Sequence, residues 1–259
     1  MKPSPAKNTV KVENIPEISL IIPLYNEADS IVPLLNEIVR ALSEKIAYEI
    51  IAVDDGSKDD TASVLLRLMQ DAQYPLRVIR HAENYGQSSA LHTGIRAAHA
   101  SWVVTLDGDG QNDPADILKL IETRDNSSLP DLKLINGYRK VRQDNLVKII
   151  SSRVANFVRG RMLRDMTPDT GCGLKLIHRD TFLTLPFFDH MHRFIPALVR
   201  RTDGNIMSVE VSHRPRQAGK SKYTLHNRLW VGIVDLLGVL WLIRRARNPV
   251  IKEVTRYDD

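Results

Sequence analysis

A single cysteine, Cys172, is all the thiol this chain has. It excludes an internal disulfide and a metal cage built from cysteines, and it fits a reducing compartment. Long apolar runs are lacking as well. Leu229 to Ile243 holds fifteen residues with one charge, Asp235, short of the roughly 17–25 residues that cross a bilayer. Met1 to Glu17 carries Lys and Pro but no apolar core like that of a signal peptide, so export is not expected. There is no internal repeat, no aromatic-interleaved RNA-binding motif and no recognisable helix-turn-helix, which argues against a nucleic-acid partner. His190-x-His192 cannot face one side of a helix. His92, His99, His178 and His213 show no metal-ligand spacing.

What is present suits one α/β domain with an appendage. Its 259 residues, 43% of them hydrophobic, are enough to bury a full core. The net charge of +5 is unevenly spread. Residues 1–138 carry 13 Lys/Arg against 20 Asp/Glu, residues 139–228 carry 18 against 7, and the last 31 carry 5 against 4. The first part is acidic and the middle strongly basic, and a basic surface suits anionic lipid or phosphorylated substrates.

Apolar patterning predicts strands at Ile18–Pro23, Tyr48–Val53, Leu76–Arg80, Trp102–Leu106, Leu132–Asn136 and Ile206–Val211. It predicts helices at Ser30–Ile46 (with Pro33 in the first turn), Thr61–Ala72, Ser88–His99, Ala115–Thr123, Asn145–Leu163, Leu176–Leu185 and Phe194–Arg201. Strands alternating with helices give a mainly parallel sheet covered on both faces. Ligands of such sheets bind beyond the carboxyl ends of the strands. Tyr25-Asn26-Glu27, Asp54-Asp55-Gly56 and Asp107-Gly108-Asp109 all fall there. The last is the most informative. Two carboxylates separated by one glycine leave a buried strand, and Gln111 adds a neutral oxygen. Hard oxygen ligands at close spacing, on a backbone that a ligand can approach at Gly108, suit a divalent cation holding a diphosphate. Far along the chain, His213 to Tyr223 is dense in phosphate-type donors.

The motifs Pro23-Leu24-Tyr25-Asn26-Glu27, Val53-Asp54-Asp55-Gly56-Ser57-Lys58-Asp59-Asp60-Thr61, Asn84-Tyr85-Gly86-Gln87, Asp107-Gly108-Asp109-Gly110-Gln111, Gly137-Tyr138-Arg139, Asp169-Thr170-Gly171-Cys172-Gly173-Leu174-Lys175 and Arg216-Gln217-Ala218-Gly219-Lys220-Ser221-Lys222 occur in this order. Together they resemble the family 2 glycosyltransferases of the GT-A fold, and most of all the dolichyl- and undecaprenyl-phosphate sugar transferases. The resemblance runs from about Ile18 to Tyr223. It implies a Rossmann-like, mainly parallel α/β domain over 18–223, with a nucleotide-sugar half (18–138) and an acceptor half (139–223). A flexible leader (1–17) precedes it, and an apolar helix with a basic tail (224–259) follows.

By that resemblance Pro23, Tyr25 and Glu27 would line the base and ribose pocket, and Asp55 would approach the base. Asp107 would contact the ribose or the metal shell, and Asp109 and Gln111 would bind Mg²⁺ or Mn²⁺. The family's usual Asp-Ala-Asp is Asp-Gly-Asp here. Arg139, Arg216 and Lys222 would face phosphates, Ser152 and Arg153 would contact the acceptor phosphate, and Asp169 would close the site. Asp109, Asp169, Arg139 and Arg216 are thus the candidate catalytic set.

The implied reaction is an inverting, in-line attack on the anomeric carbon of a UDP- or GDP-linked sugar. A polyprenyl phosphate acceptor needs no base, because its second pKa near ~6 leaves it a dianion at neutral pH. A hydroxyl on a growing glycan would need one, and Asp169 is the candidate. An inert nucleotide-sugar-binding scaffold is the reading from another class. Leu229–Ile243 is either a core helix or an interfacial one, with Trp230 and Trp241 at the headgroups and the following arginines on anionic lipid. The expectation is a peripheral protein of the cytoplasmic face of the inner (plasma) membrane, with an integral-membrane partner in its pathway.

Overall fold

The structure, a computed structural model, describes residues 15–139, 159–163, 165, 167–215 and 225–247. Seven strands form one sheet: β1 (Ile18–Leu24), β2 (Tyr48–Asp54), β3 (Leu76–Arg80), β4 (Trp102–Thr105), β5 (Leu132–Arg139), β6 (Lys175–His178) and β7 (Asn205–Val211), in the order β3-β2-β1-β4-β6-β5-β7. Nearly every residue of β1 and β2 is buried, as expected of strands covered on both faces. Alternate residues feed different layers. Leu20, Ile22, Ile50 and Ala52 enter one core, and Ile21, Ile51 and Val53 enter the other.

The first layer is α1 (Ala28–Leu42), α2 (Thr61–Leu68) and α4 (Asp116–Asp125). In α1 the residues Ile31, Leu34, Leu35, Ile38 and Leu42 recur at helical spacing on the buried face. The helix starts at Ala28, two residues earlier than expected, so Pro33 falls in its second turn. The second layer is α3 (Gln87–Ala97), α5 (Arg179–Thr184), α6 (Ile195–Arg201) and α7 (Leu225–Arg244). On α7, Leu236, Val239, Leu240 and Ile243 pack on the domain. Ile233, Val234, Leu237 and Trp241 stay 42%, 67%, 55% and 60% exposed. The helix therefore has two apolar faces, one seated and one open. No helix among the described residues is long and apolar enough to cross a membrane.

Three expected elements need correction, the first being the helix expected to reach Ile46, which ends at Leu42. Leu176–Leu185 is not one helix but strand β6 followed by α5. Leu176 and Ile177 point into opposite cores, and their backbones pair with β4 and β5, which only a strand allows. The helix expected to reach Ala72 ends at Leu68, where Gln70 and Asp71 tighten to bonds with Arg67 and Leu68. Of Asn145–Leu163, only 159–163 lie within the described residues, and they are helical. Glu17, counted with the leader, is held by Arg124 at 2.7 Å and by Ala47 through its amide.

The direction of β6 matters most for function. It runs antiparallel to both neighbours, with Lys175 opposite Thr105 and Asn136. Its start, not its end, thus reaches the edge where β1, β2, β4 and β5 finish. The 169–174 segment is delivered to the same edge as the loops after those strands.

Candidate active site

Leu24 and Asp54 end paired strands, so the loops that follow lie side by side. They are cross-stitched. Asn26, in a left-handed conformation (φ 53°), receives the Lys58 amide on its side chain at 2.7 Å, and its own amide donates to Ser57 Oγ at 2.9 Å. The Glu27 amide donates to Thr61 Oγ1 at 2.9 Å. Gly56 turns at φ 68°, and a Cβ there would overlap the backbone of Glu83 and Asn84. Pro23, Tyr25 and Glu27 are half-buried along this rim.

Asp55 is buried and its carboxylate is well occupied. It accepts from the Tyr85 and Gly86 amides at 3.0 and 2.8 Å and from His81 Nδ1 at 2.7 Å. His81 Nε2 in turn meets Thr93 Oγ1 at 3.0 Å. Asp55 therefore orders the Asn84–Gln87 segment from within. Sequence spacing did not single out His81. The register does: Asp54 pairs with Arg80, so the next residue on each strand must be neighbours.

The loop after β4 carries the acidic motif. Ser30 Oγ donates to the Gly108 carbonyl at 2.8 Å and pins the loop to α1. A Cβ at Gly108 would run into Leu24, so this glycine serves close packing on β1. Asp109 Oδ1 accepts the Gln111 amide at 3.1 Å. Asp107 is half-buried, and its carboxyl is pushed up to about 6 by desolvation and then by the negative charge of Asp109. Lys175, Arg139 and a 2.8 Å hydrogen bond from Gln87 Nε2 pull the other way. Gly173 lies against this carboxylate so closely that any side chain would overlap it.

Across the edge stand residues of the 139–223 half. Arg139, the last residue of β5, grips Asp169 with two guanidinium bonds, Nε to Oδ2 at 2.7 Å and Nη2 to Oδ1 at 3.1 Å. Asn136 holds the Asp169 carbonyl at 2.9 Å. Lys175 is fully enclosed, its ammonium bonded to the Cys172 carbonyl, and burial lowers its pKa. Cys172 is buried beside Asn112, and burial raises its thiol pKa. His192 is a half-buried ring bonded to Ser88 Oγ at 2.8 Å. Burial lowers its pKa to about 3, helped by Arg193, Lys175 and His190. Lys175 and Asn136 were not singled out from the sequence, because their importance comes from the antiparallel pairing of β6. Ser152, Arg153, Arg216 and Lys222 lie outside the described residues.

The structure thus brings Asp107, Asp109, Gln111, Arg139 and Asp169 to one edge beside Pro23, Tyr25, Glu27 and Asp55. The donor set fits a hard divalent cation. A carboxyl whose ionisation is made costly by desolvation and by a neighbouring carboxylate, with an amide oxygen two residues beyond that neighbour, is relieved by such an ion. Among the described residues no group of three His, Cys, Asp or Glu could hold a metal alone.

Residues 19–185 match the family model of glycosyl transferase family 2. A dodecaprenyl-phosphate galacturonate synthase from Rhizobium johnstonii is 35% identical over 237 residues, covering 90% of this chain and 69% of that protein. The chain belongs to glycosyl transferase family 2. An undecaprenyl-phosphate 4-deoxy-4-formamido-L-arabinose transferase from Sodalis glossinidius is 33% identical over 212 residues, covering 82% of this glycosyltransferase and 64% of the relative. Among solved structures, glucosyl-3-phosphoglycerate synthase from Mycobacterium tuberculosis, with Mn²⁺, UDP and glucosyl-3-phosphoglycerate, superposes at a TM-score of 0.65. It is 17% identical and covers 91% of this chain and 81% of its own. The α/β architecture expected of a GT-A glycosyltransferase is therefore the one observed.

Proposed function

We propose that this enzyme transfers a sugar, with inversion, from a UDP- or GDP-linked donor to a polyprenyl phosphate at a membrane surface. Kinship carries the reading: the relative that covers 90% of this chain is a dodecaprenyl-phosphate galacturonate synthase. In this reading Pro23, Tyr25, Glu27 and Asp55 seat the nucleotide. Asp107, Asp109 and Gln111 hold Mg²⁺ or Mn²⁺, which when bound supplies Lewis-acid neutralisation of the leaving diphosphate. Solved neighbours were captured with UDP and either ion. Arg139, with Arg216 and Lys222, sets fixed positive charge toward the phosphates. Ser152 and Arg153 receive the acceptor phosphate.

A phosphate acceptor arrives as a nucleophilic dianion, so no residue has to take its proton. That suits Asp169, both of whose oxygens are engaged by Arg139. A hydroxyl acceptor would ask the same carboxylate to leave Arg139 first. The open face of α7, ending in Arg244, Arg245 and Arg247, supports a seat on anionic lipid at the cytoplasmic face. An integral-membrane pathway partner belongs to the same reading.

The test is transfer by purified protein in detergent, with UDP- and GDP-sugars, polyprenyl phosphate, and Mn²⁺ or EDTA, read by mass spectrometry. A polyprenyl-phosphate sugar that EDTA abolishes is expected. Turnover only with hydroxyl acceptors overturns the lipid reading and makes Asp169 the base. Nucleotide binding without turnover on any acceptor returns the protein to a scaffold.

A further inference from the structure

Arg214 stands three residues beyond β7 and belongs to none of the motifs. Its guanidinium forks between two elements, Nη1 to Glu37 Oε2 of α1 at 2.8 Å and Nη2 to Asp113 Oδ2 at 2.5 Å. Its backbone is tied to the loop after β4. The Arg214 amide donates to the Gln111 carbonyl at 3.0 Å, and the Arg214 carbonyl accepts from Gln111 Nε2 at 3.5 Å. The preceding residue, His213, bridges Asn112 in antiparallel fashion. Ser212 donates its amide to Asp116 Oδ2 at 2.6 Å. The chain leaving β7 toward Arg216 is thus laced along the chain leaving Asp109.

Exposed ion pairs contribute little by themselves. This one is half-buried, forks to two carboxylates and caps a backbone ladder. A planar guanidinium suits that geometry, and an ammonium cannot reproduce it. A cleft of about 170 Å³ lies between α1 and the Asp109–Gly110 turn, with Glu37 in its wall. Without the clasp the turn has room to shift into it.

We infer that Arg214 is a positioning residue that acts through Glu37 and Asp113. It fixes Asp109 and Gln111 relative to the chain that leaves β7 at Ser212–Arg214, and so sets affinity for a nucleoside diphosphate with its cation. The inference rests on the transferase reading above.

Full-length Arg214→Ala, Glu37→Ala, Arg214→Lys and the Glu37→Ala/Arg214→Ala double variant decide it, with two measurements. Amide exchange over residues 107–113 is measured without metal, and binding of Mn²⁺ with UDP, and with GDP, by calorimetry. Each single Ala variant should exchange faster and bind about tenfold more weakly, in the range of losses from outer-shell partners. The double variant should be no worse than Arg214→Ala, and Arg214→Lys should recover only part. Wild type that binds neither nucleotide sinks the transferase reading itself. Wild type that binds, with Ala variants binding equally, overturns the clasp even if exchange rises. So does weakening in Arg214→Ala with none in Glu37→Ala, because Arg214 would then touch the ligand directly.

Discussion

The two halves of the sheet edge, which the proposed function assigns to donor and acceptor, are built on opposite plans. On the donor side, β1, β2 and β4 run parallel and each hands its carboxyl-terminal loop directly to the site. The polar residues there hold one another: Asn26 with Ser57 and Lys58, Asp55 with His81, Ser30 with Gly108. On the acceptor side one reversed strand, β6, brings residues to the edge from the other direction, and a buried ion pair, Arg139–Asp169, stands where they arrive. The donor half is a set of interlocked turns, whereas the acceptor half hangs on a few buried charges. Damage to the first should appear as lost nucleotide binding, and damage to the second as lost acceptor use.

The sharpest break is Asp109→Ala. It should lower turnover by about 10³-fold or more and abolish Mn²⁺-dependent nucleotide binding in calorimetry. Retained binding would move the metal site elsewhere. Asp169→Asn should leave nucleotide binding within about twofold while lowering transfer to a phosphate acceptor by about tenfold. A drop of about 10³-fold or more at saturating acceptor would make Asp169 a base, against the phosphate reading.

The seam between the halves can be probed by acid. Ser88 comes from the donor side and His192 from the acceptor side. Burial lowers the His192 pKa to about 3, so between pH 6.5 and 3 the unfolded chain takes up a proton that the folded one refuses. Stability from this residue is complete above pH 6.5 and is lost as pH falls toward 3, by up to about 1.4 kcal/mol per pH unit. Urea midpoints against pH should show this limb, and His192→Gln should flatten it. An unchanged slope would assign acid sensitivity elsewhere. The smallest chemical effect belongs to α7. Val234→Ser with Trp241→Ser should weaken binding to anionic vesicles about tenfold, as lost apolar insertion implies. Turnover on a short, water-soluble acceptor should stay within about twofold, and unchanged vesicle binding would detach α7 from the membrane.

The donor side was readable from the chain because its signals are local. Runs such as Ser19-Leu20-Ile21-Ile22 and Trp102-Val103-Val104 announce buried strands, and the carboxylates follow them immediately. The acceptor side was not, because its structure is decided by partners. Leu176 and Ile177 sit in a run that helical spacing also accepts, and only pairing with Val104, Val103 and β5 makes them a strand. His81 has no local signal, and Lys175 and Arg214 lie in stretches that do, but nothing local says what either side chain touches. Each becomes meaningful through a residue brought beside it by the sheet or the β7 exit.

The reversed strand also gives the sheet edge two fixed posts. Because β5 and β6 are antiparallel neighbours, with Asn136 opposite Lys175, the chain between them departs and returns at one place. Arg139 and Asp169 clamp its two ends together. Lengthening a connection whose ends are already joined costs only about 0.6 kcal/mol per doubling. Arg139 and Asp169 are therefore fixed posts in the engineering sense: a change of length in the chain between Arg139 and the core-seated Leu163 should leave β5 and β6 in register.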